Sequence, residues 1–425
     1  MRGIRCGHDT GDAGRVRRAE RNRIRRRASR AAHACGRRQR VDIRLSLHGE
    51  LDAIKAEWLA FEKNADCTVF QSFGWLSNWQ KNIGARTGVK PVVVAGHDAD
   101  GTLLFLLPLA IDNSGLVRRL TWLGSQLGDY NAPLLAADFH RRIDARRFQQ
   151  LWRDVTTRLQ SHPDFRYDLV HFEKMPEAVG AQPNPFMQLD VAVNPSGAYL
   201  THLAGDWDTF YADKRSSAAT RKGDRYKRKK LSELGEVAFV TPSNADEIAG
   251  ALDTLMDQKA QSFAHMGVAN MFERPGYPQF YCALATDPAT SHLAHVSRLD
   301  VGATPAAINL GLTFRGCYYH VLASYDGGEV SKYGPGTVHL QGLIRYAIER
   351  GDTIFDFTIG DERYKRDWCD TELKLFDHVA AATLRGAIAS ALLVAAGRAK
   401  RAIKQTPLLW NAYYKARSLI GSLRR

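Results

Sequence analysis

The sequence is short of almost every feature that announces a function directly. Its six cysteines, Cys6, Cys35, Cys67, Cys282, Cys317 and Cys369, include no C-x-x-C pair. That spacing excludes a regular disulfide framework and fits a reduced compartment. No cluster of His and Cys has metal-ligand spacing, and His292 and His295, three apart in an expected strand, would point to opposite faces. The expectation is therefore no metal. There is no G-x-x-x-x-G-K-[ST] loop, no G-x-G-x-x-G after a first strand and no G-x-S-x-G elbow, so the NTPase, dinucleotide and serine-hydrolase readings lose their motifs. Long apolar runs are missing too. The longest late one, 387–396, is too short to span a bilayer, and no apolar h-region follows the N-terminal charges, as a signal peptide requires. These absences lead us to expect a soluble, cytoplasmic protein.

Charge of one sign is unevenly missing. The net charge is +14, which at first suggests nucleic acid. Residues 1–40 hold 14 Arg, no Lys and 3 acids, and residues 381–425 hold 9 Lys or Arg and no acid. Removing both segments leaves 41–380 with a net charge near −6. A nucleic-acid groove needs its charge in the folded part, so no nucleic-acid partner is expected. The arm 1–40 has almost no apolar content and no period, and reads as disordered. Its all-Arg character suggests a mis-assigned start near Val41, with a polyanion-binding arm as the competing idea.

The chain has length for two domains. Residues 41–193 read as helix (51–62 and an aromatic-rich 70–81), hairpin (91–95 and 103–111 around Asp100-Gly101), strand (120–123), helix (145–160) and strands (169–172, 187–193). Residues 194–380 repeat that order: a long helix (207–234), a strand (236–240), helices (245–263, 277–285), a strand (292–299), then 306–368. The fold class is mixed α/β, with two units of one plan suggesting a tandem duplication. A basic amphipathic extension, 381–425, follows. Packing on the body is its expected role, and contact with a membrane surface is the sharper alternative.

The stretch 306–368 organises the rest. Strands 306–314 and 317–325 form a hairpin, and Gly334-Pro335-Gly336-Thr337 opens a helix with Leu340, Leu343, Ile344, Ala347 and Ile348 on one face. The next strand, 354–359, places Asp356 and Thr358 together. A glycine turn feeding a helix N-terminus suits an anion. Pro335 has no N–H, so the amides of Gly336, Thr337 and the next residues would hold it. Only the second unit has this turn. Residues 214–230 carry nine Lys or Arg against one Asp. A solvated helix face is the plain reading of that run. The functional one is phosphate binding by Arg221 and Arg225, four apart on one face, to the acceptor or to coenzyme A.

The run S-Y-D-x-G-x-x-x-S-K-Y-G-P-G, then R-G-x-x-x-F-D-F-T-x-G-D-E-x-Y-K-x-x-W, resembles the bacterial acetyltransferases associated with cellulose biosynthesis, the CelD/BcsL-like group. Ser324, Tyr325, Asp326, Gly334, Pro335, Gly336, Arg350, Gly351, Phe355, Asp356, Phe357, Thr358, Gly360, Asp361, Tyr364, Lys365 and Trp368 carry the match. Leu123-Gly124 and Asp129-Tyr130 add to it, and it spans roughly residues 45–380. The resemblance implies two GNAT-like acyl-CoA N-acyltransferase domains in tandem, distantly related to Fem-type peptidoglycan aminoacyltransferases. It implies transfer of an acyl group, with acetyl-CoA as donor, to an amine or hydroxyl acceptor such as a saccharide in exopolysaccharide or cellulose metabolism, beside a polysaccharide synthase or peripheral to the inner membrane. Gly334, Gly336 and Thr337 would hold the donor's pyrophosphate. The turn is shorter than the wider GNAT pattern, which leaves an aminoacyl-tRNA donor open. A degenerate fold serving as an interaction subunit is the reading from another class.

The same resemblance implies roles for single residues. Strands 306–314 and 317–325 would splay to give backbone donors to the thioester carbonyl. Lys365 matches a Fem-type lysine that stabilises the tetrahedral intermediate. Asp356 is a candidate base or orienting carboxylate, Tyr364 a proton donor to the leaving thiolate, and Asp129 and Tyr130 substrate contacts. The plain alternative is that Asp356 and Lys365 form a structural ion pair.

Overall fold

The computed structural model describes residues 42–405. The arm 1–40, with Cys6 and Cys35, and the C-terminal stretch containing Pro407 and Trp410 lie outside the described residues. From Arg44 onward the described residues form one unit by their contacts.

Strands β1 (Arg44–His48), β2 (Val89–His97), β3 (Leu103–Asp112), β4 (Arg119–Trp122), β5 (Leu134–Leu135) and β6 (Leu169–Pro176) come first along the chain. A small hairpin of β7 (Ala178–Val179) and β8 (Gln182–Pro183) and the strand β9 (Val191–Val193) follow. The second half supplies β10 (Ala198–His202), β11 (Val237–Val240), β12 (Ala294–Val301), β13 (Thr304–Phe314), β14 (Cys317–Tyr325), β15 (Ile354–Ile359), β16 (Thr371–Leu373) and β17 (Leu375–Ala381). One sheet has the order β1-β2-β3-β4-β6-β17-β9, with β5 on β3, and the other β11-β12-β13-β14-β15-β10-β16.

Local chemistry explains the elements that were legible. The β2–β3 hairpin closes where Asp98 Oδ1 accepts the amides of Asp100 and Thr102 at 3.0 and 2.9 Å, with Gly101 at φ +86°. All ten residues of β3 are buried, as expected for a strand covered on both faces. Ser72 caps the helix Phe73–Asn82 through the Trp75 amide, and Trp58, Trp75 and Trp79 fill the core beneath it.

Three expectations change. The helix drawn over 207–234 is two helices, Trp207–Lys214 and Ala218–Ser232. Ser217 is extended there, and Arg215 turns back to clasp Asp224 with two bonds of 3.0 Å. The segment 187–193 is a 3-10 turn, Pro185–Gln188, before the short β9, with Asn184 accepting from the Phe186 amide. Finally, β17 lies within the span 194–380 yet pairs with β6 and β9 of the first sheet, while β10 joins the second sheet between β15 and β16. The first sheet therefore takes a strand from beyond the whole of the second in sequence, which ties the halves together.

Candidate functional site

The site begins where two parallel neighbours part. Strands β14 and β15 pair only from Cys317–Tyr319 to 354–356. Beyond that, β14 stays with β13 and β15 with β10. The cause is local. Opposite β15, the register of β10 shifts between Tyr199 and Leu200, and Thr358 sits at φ +58°, so the chain turns away from its neighbour. The hairpin β13–β14, where the splay was expected, is paired throughout. A cleft of about 660 Å³ opens between the diverging ends.

One end of the cleft is the glycine turn. Gly334 is left-handed (φ +63°, ψ +56°) and caps the helix Pro335–Glu349 without a side-chain bond. The Thr337 amide is already turned to Gly334 O at 3.0 Å. Its hydroxyl accepts from Lys227 Nζ at 3.3 Å. Gly336 keeps a first-turn amide with no acceptor inside the helix. The glycine turn singled out in the sequence borders this cleft, and the cation beside it is Lys227.

Behind the cleft wall at Thr358, residues from both halves meet. Asp356 is buried, and its Oδ1 accepts the Tyr130 hydroxyl and the Thr358 amide, each at 2.7 Å. The bend at Thr358 makes that second bond, replacing the simple shared face expected from alternation. Burial drives the Asp356 carboxyl up to about 7, and neighbouring Asp129 adds to the rise. The Tyr130 hydroxyl, the Thr358 amide and Lys365 act against it. Asp129 is half-buried, and burial raises it as well, opposed by Lys174, the Thr358 hydroxyl and Lys365. Burial, then Asp356, holds the Tyr130 phenol well above its ordinary value. Asp129 and Tyr130, some 226 residues from Asp356 in sequence, therefore meet it in space.

Lys365 is buried and borders the cleft. Its Nζ donates to Ile359 O at 2.9 Å and Thr358 O at 3.3 Å and pairs with Glu362 Oε2 at 2.9 Å. The carboxylate partner of this ammonium is thus Glu362, in place of the considered pair with Asp356. Tyr364 also lines the cleft, edge-on to Phe357 at 6.4 Å, and burial raises its phenol. Arg221 donates to the carbonyls of Arg215 and Ser216 at 2.9 and 2.6 Å. Arg225 is exposed and lines a shallow groove with Arg228 and Lys229. Neither borders the cleft, to which the same basic run contributes Arg215 and Lys227.

Sequence reasoning passed over two groups in the cleft wall. His320, on β14, is held down to about 3 by burial and by the charges of Lys365 and Lys259, so it is neutral at pH 7. Its Nε2 accepts from the Asn309 amide at 3.2 Å when that amide takes the orientation satisfying Tyr318 and Gly311. Lys259, from the helix Ala245–His265, is lowered by burial, and its ammonium lies 5.3 Å from the Phe263 ring centroid. For His320 the signal was a polar residue in an otherwise buried strand; Lys259, on a helix of mixed burial, gave none. Among the described residues, no group of three or more His, Cys, Asp or Glu could hold a metal ion.

Comparisons with known proteins bear on the fold that carries this cleft. Residues 218–366 match the family model described as acetyltransferase (GNAT) domain. No curated protein matches the chain. The fold is similar to that of FemX (TM-score 0.51, 11% identity, covering 78% of this chain and 96% of FemX). It is also similar to a conserved protein of unknown function from Bacteroides thetaiotaomicron VPI-5482 (TM-score 0.50, 12% identity, covering 79% and 99%). The chain thus has a mixed α/β fold with two sheets built on one plan, and residues 218–366 of its second half carry the match to the GNAT acetyltransferase domain.

Proposed function

We propose that the protein is an acyltransferase that moves an acyl group, acetyl in the simplest case, from acyl-CoA to an amine or hydroxyl acceptor. The observation that carries this reading is the β14–β15 splay, with an uncapped helix start at one end and Lys365 and Tyr364 at the other. The residues fit such a donor. Gly336, Thr337 and Lys227 offer an amide, a hydroxyl and a cation to a pyrophosphate, and the parted strand edges offer backbone groups along the cleft. The thioester supplies an activated carbonyl. The chain's own groups do the rest. Lys365 sets a positive charge where negative charge develops on that carbonyl oxygen, and Tyr364 stands ready to protonate a leaving thiolate. With its carboxyl near 7, Asp356 can take a proton through the Tyr130 hydroxyl or orient that hydroxyl. His320 serves as a neutral hydrogen-bonding group. We assign the acceptor to saccharides of exopolysaccharide or cellulose metabolism on the sequence resemblance, with Asp129 and Tyr130 as its contacts; Arg221 and Arg225, away from the cleft, take no part in this reading.

An aminoacyl-tRNA donor is the second reading, because Pro335 has no amide and Thr337 has already used its own, so the turn is a sparse pyrophosphate cradle. Calorimetric titration with acetyl-CoA separates the two. Binding that weakens in Lys227→Ala supports the first. No binding by folded protein, with acyl transfer from charged tRNA, supports the second, and failure of both leaves a non-catalytic interaction subunit.

A further inference from the structure

The helix Leu384–Gln405 follows β17 and lies against β17 and β6. At about 100° per residue, Gly386, Ala389, Ser390 and Leu393 share one face, and these are its covered or half-covered residues. Gly386 makes the contact possible, since a Cβ there would collide with the Asp168 carbonyl oxygen. Packing on the body therefore uses the small-residue face. Apart from Leu393, three large apolar residues look the other way. Leu384, Ile388 and Leu392, with Ala391 and Ala395, fall in the opposite arc, and the first three are 83%, 63% and 67% exposed. A surface helix ordinarily turns its apolar stripe to the core, and this one reverses the rule.

Charge decides what covers that stripe. From residue 381 to 425 the sequence has nine Lys or Arg and no acid, with Trp410, Tyr413 and Tyr414 among them. Arg385 is tied to Asp168 at 3.2 Å, whereas Arg398 is exposed. A second copy docking through the same helix would bring two wholly cationic segments together without an acid to offset them. An anionic bilayer supplies both missing partners, acyl chains for the outward stripe and phosphates for the cations. No described helix is long and apolar enough to cross a membrane, so the geometry is one of lying on the surface.

We infer that the outward face of Leu384–Gln405 is a docking surface for an anionic lipid bilayer, holding the cleft-bearing body at a membrane. This stands apart from the acyl-transfer reading and does not need it. The test is co-sedimentation of the full chain with vesicles of phosphatidylcholine alone or with phosphatidylglycerol. Binding is expected only with the anionic lipid, and it should weaken as salt rises from about 50 to about 500 mM. Ile388→Glu with Leu392→Glu should lower the partition coefficient roughly tenfold or more, with an unchanged circular dichroism spectrum because both side chains are exposed. Absence of binding to anionic vesicles at low salt overturns the inference, and so does binding that the double variant leaves intact. A concentration-dependent dimer abolished by the double variant would also overturn it, giving the stripe to a second copy.

Discussion

The two sheets contain the same unit and use it in opposite ways. In each, a strand leads through a helix to a parallel neighbour: β4, Ala145–Ser161 and β6 in the first, β14, Pro335–Glu349 and β15 in the second. In the first, rings fill the space under the helix. Trp122 lies 4.9 Å from both Phe172 and Phe186, and Trp152 and Phe148 reach Phe186 at 5.3 and 5.1 Å between centroids. Its helix start is satisfied from within, because Asp144 accepts the Arg147 amide at 2.9 Å. The second unit has Gly334 at that position, no side-chain cap and an open cleft. An internal carboxylate and an external phosphate answer the same helix dipole. The first unit is thus closed chemically as well as sterically, and its Tyr130 reaches across to bond Asp356 of the second.

Four changes would break or sharpen that contrast. Phe186→Ala opens the plug of the first unit. It should cost about 3–5 kcal/mol of stability in denaturant titration while leaving donor affinity unchanged; a new binding event for acetyl-CoA would show that the first unit is a masked site. Lys365→Met should lower turnover by about 10²–10³ in protein whose circular dichroism is native, and near-normal rates would remove Lys365 from the mechanism. Asp356→Asn keeps an oxygen for both bonds that now reach Oδ1. Because the native carboxyl is raised to about 7 and the unfolded one lies near 4, wild-type stability falls as pH rises between those values and is flat above. The variant escapes that loss. It should be more stable than wild type at pH 8, on the order of 2–4 kcal/mol, with the gap closing below about pH 4. Thermal melts across pH read the effect, and a pH-independent gap would place the origin outside ionisation. The smallest change is Lys227→Ala. Donor KM should rise several-fold, less at high salt, while kcat holds; an unchanged KM at low salt would detach the basic run from the cleft.

Much of this was readable from residues alone because the signals are local. The Asp98–Thr102 turn, the apolar face of Pro335–Glu349 and the buried run of β3 each follow from short-range periodicity or turn chemistry. The helix break at 215–217 was not, since it depends on Arg215 finding Asp224 nine residues on and stacking 4.8 Å over the Trp368 ring. Sheet membership of β17 was equally hidden, because alternation says which face is buried and nothing about which neighbour covers an edge. The basic run at 214–230 was noticed, but helical spacing alone could not tell Lys227, which reaches the cleft, from Arg221, which holds two backbone carbonyls.

By itself, the sequence determined most kinds of elements, the glycine turn that opens a helix, and the presence of Asp356 and Lys365 on and just after one strand. Those are properties of a few consecutive residues and their periods. Tertiary structure alone decided where the strands part, that Tyr130 of one half bonds Asp356 of the other, that Lys365 pairs with Glu362, and that His320 is neutral. Apart from the Lys365–Glu362 pair, three residues apart on one turn, these depend on desolvation and on contacts between segments far apart in the chain, which a one-dimensional pattern does not carry.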